Sequence, residues 1–177
     1  DRNTTGAGLL VGRHMLAHLA AQLAAAHIPA NILCTIVSDT LATCEASSIM
    51  GDDELGPWRV LLAEQYASLS RWRDAAQALQ SITPHAARRI PQLSFAQLCV
   101  RVVELWLHDL PSHVAEAEQA IKRANSAILD ERDNKALVHE LWSYHARVLA
   151  IQNRFMEAAA RYICLLYTSP SPRDATL

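Results

Sequence analysis

An aromatic or branched residue opens a helical stripe three times in this chain, at Trp72, Val114 and Phe155, and the steps between them are forty-two and forty-one residues. Small residues follow one turn later, as Ala75-Ala76, Ala117 and Ala158-Ala159. The register also runs backwards: Tyr66, Trp72 and Ala75 are spaced by six and three, as are Leu149, Phe155 and Ala158. A period of this length lies between the tetratricopeptide unit of about 34 residues and the longer armadillo and HEAT units. One hairpin of that size cannot bury its own apolar face, so neighbours must stack to make a core. The alanines allow the two helices of a hairpin to approach closely, while Trp72 or Phe155 fills the gap toward the next hairpin. The expected fold is all-α, a right-handed α-solenoid of stacked, tetratricopeptide-like helix hairpins.

About eight helices are expected, joined by short polar or proline-marked links. Leu9 to Ile28 is the first, and Pro29 stands where a second begins, running to about Cys44. Ser47 to Gly56 reads as a solvated loop, with Pro57 in the first turn of a helix carrying Trp58, Leu61, Leu62, Gln65, Tyr66 and Leu69. Ser70-Arg71 turns the chain into the stripe Trp72, Ala75, Ala76 and Leu79. Pro84 and Pro91 bracket the next link, before Leu93, Leu98, Val102, Leu105 and Trp106. That helix turns at Asp109-Leu110-Pro111-Ser112, where Ser112 is the expected N-cap with Glu116 nearby. Val114, Ala117, Ile121, Ala124 and Ile128 form the return face. After Asp130-Glu131-Arg132-Asp133 come Leu137, Leu141, Tyr144, Val148 and Ile151, then Phe155, Ala158, Ala159, Tyr162 and Ile163.

Composition excludes several function classes. Sixteen basic against eighteen acidic residues give a formal charge of −2, with no segregated basic face for a phosphate backbone, so nucleic acid is not an expected partner. Arg13, His14, His18, Gln22 and His27 interrupt the apolar stretch 9–28, which reads as an amphipathic helix rather than a membrane span. The chain carries no initiator Met and no signal-peptide pattern, so its natural N-terminus is expected to lie upstream. Cys34, Cys44, Cys99 and Cys164 form no CxxC pair and read as buried small hydrophobes, with a disulfide framework as the alternative.

No constellation of reactive groups stands out. His14 and His18 share a helix face four residues apart, yet no Glu or Cys completes a metal site. His108 and His113 flank a turn with Asp109 and carry the same reading. His139, Glu140 and His145 do not fall on one side of a helix. GxSxG, a glycine-rich phosphate loop and a metallohydrolase signature are all missing from the sequence. The expectation is a protein that is not an enzyme, with no catalytic, cofactor-binding or metal residues and no cofactor. Trp58, Trp72, Trp106 and Trp142 read as core rather than as a ligand cage. Arg71 and Arg73 around Trp72, and Arg88-Arg89, are solvated groups with a contact role as the alternative.

Three stretches carry a family resemblance. The first, residues 58–79, reads WRVLLAEQYASLSRWRDAAQAL and ends in W-R-x-A-A. The second, residues 98–125, reads LCVRVVELWLHDLPSHVAEAEQAIKRAN and holds A-E-x-x-I-x-R-A. The third, residues 145–162, is HARVLAIQNRFMEAAARY. In this order and spacing they resemble the helical-repeat part of the PCI-domain scaffold subunits of the COP-nine signalosome. The likeness covers roughly residues 55 to 162 well. Proteasome-lid subunits share the hairpin plan; Trp72-Arg73 and the run from Ala117-Glu118 to Arg123-Ala124 favour the signalosome.

The resemblance implies a scaffold subunit of a nuclear and cytoplasmic complex that removes the modifier Nedd8 from cullin-RING ubiquitin ligases, the isopeptidase chemistry residing in a different, zinc-binding subunit. It implies other signalosome subunits and cullin-RING ligases as partners, with no membrane. Residues 1–162 are then the helical arm, and the C-terminal PCI winged-helix domain of the family is absent from these residues. The stretch 163–177, ICLLYTSPSPRDATL, departs from the family and contains two Ser-Pro steps that disfavour helix. It reads as foreign sequence on a truncated transcript or as a flexible tail. The competing functions are a proteasome-lid scaffold and a tetratricopeptide-like module gripping peptide tails, the latter disfavoured by the shortage of lysines.

Overall fold

The computed structural model describes residues 12, 15–16, 18–26, 28–47, 51–88, 90, 94–128 and 134–168, and every regular element among them is helical. After helical backbone at 18–25 come α1 (Ala30–Ser47), α2 (Asp52–Ser68), α3 (Trp72–Gln80), α4 (Pro84–Ala87), α5 (Phe95–Leu107), α6 (Val114–Ala127), α7 (Lys135–Ile151) and α8 (Phe155–Thr168). The fold class is all-α, with helices packed in neighbouring pairs. Two compact units divide the chain, Asp1–Leu98 and Cys99–Leu177.

In the first unit, Pro29 precedes α1 and its carbonyl accepts from the Ile32 and Leu33 amides, both at 3.0 Å. Steps of three and four then place Leu33, Cys34, Val37, Leu41 and Cys44 on one buried face. They pack with Ala20 and with Leu55, Trp58, Leu61 and Leu62 of α2. On the outward side, Thr35, Thr40 and Thr43 hydroxyls donate to the carbonyl one turn back, which satisfies them within the helix.

The expected loop before Pro57 is instead the first turn of α2. The Gly51 amide donates to Glu54 Oε2 at 3.0 Å, and the Glu54 amide donates to the Gly51 carbonyl at 2.9 Å. Asp52, Asp53 and Glu54 place negative charge at the helix N-terminus, where it is favourable. Pro57 therefore sits inside α2, where its missing amide costs one helical bond. Gly56, one residue earlier, explains what this part of the helix gains. A Cβ there would stand 3.3 Å from the Ala86 carbonyl oxygen and 3.4 Å from Ile90, so α4 seats closely on α2.

The link between Pro84 and Pro91 contains that short helix, α4, which the proline pair concealed. Thr83 caps it by accepting from the Ala86 amide at 3.2 Å, and Pro84 occupies a first-turn position where no donor is needed. Pro91 and Leu93 lie outside the described residues. Ser94 and Gln97 then form a reciprocal cap for α5: the Ser94 amide donates to Gln97 Oε1 at 2.6 Å, and the Gln97 amide to Ser94 Oγ at 3.2 Å.

In the second unit, α5 buries Cys99, Val102, Val103, Leu105 and Trp106, and α6 buries Ala117, Ala120, Ile121 and Ala124. His113, rather than Ser112, is the residue before α6, and the Ser112 amide donates to the Asp109 carbonyl within the turn. From α7, Val138, Leu141, Ala146, Val148 and Leu149 are buried. The link 130–133 lies outside the described residues.

Several expectations fail in the last hairpin. Phe155 does not fill a gap between hairpins, for it is 62% exposed, and Ala159, Tyr162 and Ile163 are exposed with it. Ile151 is exposed as well, and Cys164, unlike the other three cysteines, lies on the surface. Finally, α8 continues past Tyr162 to Thr168, because Ile163 to Tyr167 contain nothing that breaks a helix and the Ser-Pro steps begin only at 169.

Candidate protein-interaction surface

The turns that join the helix pairs are built alike. Among the described residues, Ser70 and Asn153 are the non-glycine residues with positive φ, at 57° and 62°. The next amide in each turn reaches back five residues, Arg71 to the Tyr66 carbonyl at 2.9 Å and Arg154 to the Leu149 carbonyl at 3.0 Å. Each arginine then leans over the start of its helix. Arg71 Nε donates to Asp74 Oδ2 at 2.7 Å, and Arg154 donates to both Glu157 oxygens at 2.8 and 2.6 Å. The Asp74 and Glu157 bonds stabilise the charged guanidinium groups and hold each helix start.

The turn into α6 uses the same places with different chemistry. His113 occupies the arginine position, with Nδ1 3.4 Å from Glu116 Oε1 and Nε2 3.2 Å from Asp109 Oδ2. Its ring lies 5.3 Å from that of Trp106. Ala75, Ala117 and Ala158 follow at one position in the three helices, and each is buried, as their small size requires.

Among the described residues, the other histidines noted in the sequence lie in different surroundings. His18 contacts Gln22 at 3.4 Å, while His14 lies outside the described residues. His139 stacks loosely on Trp142, with ring centroids 6.4 Å apart, and Glu140 accepts from the Tyr144 hydroxyl at 2.7 Å. His145 has separate neighbours. Burial, and then the charges of Arg161 and Arg154, hold its imidazole below its usual range against the opposing pull of Glu118 and Glu157. His108 is exposed, as is Arg88, and Arg89 lies outside the described residues. Among the described residues no group of three or more His, Cys, Asp or Glu stands where it could hold a metal ion.

Trp58 and Trp106 are core residues, whereas Trp72 and Trp142 are half-buried. The Arg161 guanidinium lies 5.9 Å from the Trp142 ring centroid, and Arg71 lies 4.4 Å from that of Tyr66. The arginine beside Trp72 thus holds a turn together, while Arg73 is exposed. Burial raises the pKa of the Cys34, Cys44 and Cys99 thiols.

What the molecule offers outward is apolar area. In the first unit Met15, Leu19, Ile32 and Ile36 are exposed. In the second, Phe155, Met156, Tyr162 and Ile163 recur at helical spacing on α8, which buries Ala158 and packs on α7. An exposed apolar face of this kind is a candidate surface for another protein. The sequence does not reveal that the α8 face is exposed, because a stripe at steps of three and four looks the same whether it is covered or bare. No helix among the described residues is long and apolar enough to cross a membrane.

Comparison with known proteins gives the same family that the three quoted stretches resemble. The chain is 30% identical over 175 residues to COP9 signalosome complex subunit 4 of Caenorhabditis elegans, an alignment covering 96% of this chain and 42% of that protein. It is 27% identical over 155 residues to COP9 signalosome complex subunit 4 of Arabidopsis thaliana, covering 87% of this chain and 38% of that protein. The chain therefore spans less than half the length of these curated relatives. No family model matches it.

Proposed function

We propose that this chain, a relative of COP9 signalosome subunit 4, serves as a non-catalytic helical scaffold within the signalosome, supporting removal of Nedd8 from cullin-RING ubiquitin ligases. The observation that carries the reading is the alignment with two subunits of one name, from an animal and a plant, over nearly the whole chain. The arrangement of side chains supports it physically. Buried alanines and branched residues knit the helices, and polar groups such as Arg71-Asp74 and Arg154-Glu157 serve the turns. Exposed apolar residues on both units supply area for other subunits.

Under this reading the helices from α1 to α8 act as the arm. The partners are other signalosome subunits and cullin-RING ligases, met in cytoplasm and nucleus, with the isopeptidase chemistry contributed by another subunit. Affinity purification of the protein containing this chain, followed by mass spectrometry, tests the assignment. Recovery of deneddylase subunits and cullins is the expected result; recovery of proteasome ATPases without them overturns it in favour of a proteasome-lid scaffold.

A further inference from the structure

We draw no further inference here: the strongest candidate, the exposed apolar face of α8 formed by Phe155, Met156, Ala159 and Tyr162, carries nothing because nothing in the structure shows what covers it.

Discussion

Ser70 and Asn153 hold the same left-handed backbone conformation at the same point of two helix turns, with φ of 57° and 62°. Each is followed by an arginine whose amide closes the turn on a carbonyl five residues back. A left-handed residue costs most side chains about 1 to 2 kcal/mol, and glycine avoids that cost. Asparagine tolerates the region better than serine does. Ser70→Gly is therefore expected to stabilise the protein by about 0.5 to 1 kcal/mol, and Asn153→Gly by less. Ser70→Val should destabilise by more than 1 kcal/mol, roughly the cost of a β-branched side chain in this region. Urea denaturation followed by circular dichroism measures all three, and no difference between Gly and Val at position 70 would contradict the turn geometry.

Arg59 is the polar hub of the first unit. Its side chain is only 12% exposed, and it donates to Asp52 Oδ1 at 2.6 Å, to Glu45 Oε1 at 3.1 Å and to the Ser81 carbonyl at 3.2 Å. Asp52 Oδ2 in turn accepts from the Thr83 hydroxyl at 2.9 Å, so one guanidinium ties α1, the start of α2 and the link between α3 and α4. Arg59→Met should cost about 2 kcal/mol, the order expected when charged hydrogen bonds are lost and their acceptors left partly covered.

The same hub predicts an acid limb in the stability profile. Burial works to raise the Asp52 carboxyl, but hydrogen bonds from Arg59 and Thr83 and the Arg59 charge override it, so its pKa is lowered. A carboxylate held low in the folded state contributes stability that is present above its unfolded pKa of about 3.9 and lost as pH falls through the folded value. Asp52→Asn should flatten that limb below about pH 4, as read by denaturation at a series of pH values. An unchanged acid limb would remove Asp52 as its source.

Helical periodicity in the sequence carries the fold far, and its limits have physical causes. The stripes of α3 and α6 are read correctly because their apolar faces are covered, as Ala76 and Ala124 at 0% exposure attest. Periodicity alone cannot tell a covered stripe from a bare one, which is why Phe155 and Tyr162 look like core until their neighbours are known. The start of α2 is hidden by Pro57: a proline there ordinarily marks a first turn, but the reciprocal bonds between Gly51 and Glu54 begin the helix earlier. The short α4 is likewise masked by its flanking prolines, although Thr83-Pro84 is a recognisable start once Ala86 is known to bond Thr83. Which apolar residues face outward is not legible in the sequence, because exposure depends on neighbours that periodicity does not name.

Two aromatic truncations separate core from surface. Trp58 is 1% exposed and belongs to the cluster with Leu33, Val37 and Leu61, so Trp58→Ala should cost about 3 to 5 kcal/mol. Phe155→Ala should change stability by less than about 1 kcal/mol, because most of the ring is already in water. Chemical denaturation of both variants checks the contrast, and comparable losses at the two positions would mean that the α8 face is covered in solution.

His145 is expected to make the second unit sensitive to mild acid. Burial is the largest cause holding its imidazole below the usual range, followed by the charges of Arg161 and Arg154, which outweigh Glu118 and Glu157. The folded state therefore binds fewer protons at this site than the unfolded chain does. The sign follows from linkage: stability is full above the unfolded pKa of about 6.5 and declines as pH falls below it toward the folded value. His145→Gln should remove that slope while leaving a small constant cost from the altered packing. Thermal unfolding at several pH values between about 5 and 7.5, with the wild type and the variant side by side, reads the difference. Parallel profiles for the two proteins would show that His145 titrates equally in both states, and that the arginines beside it are too well screened to matter.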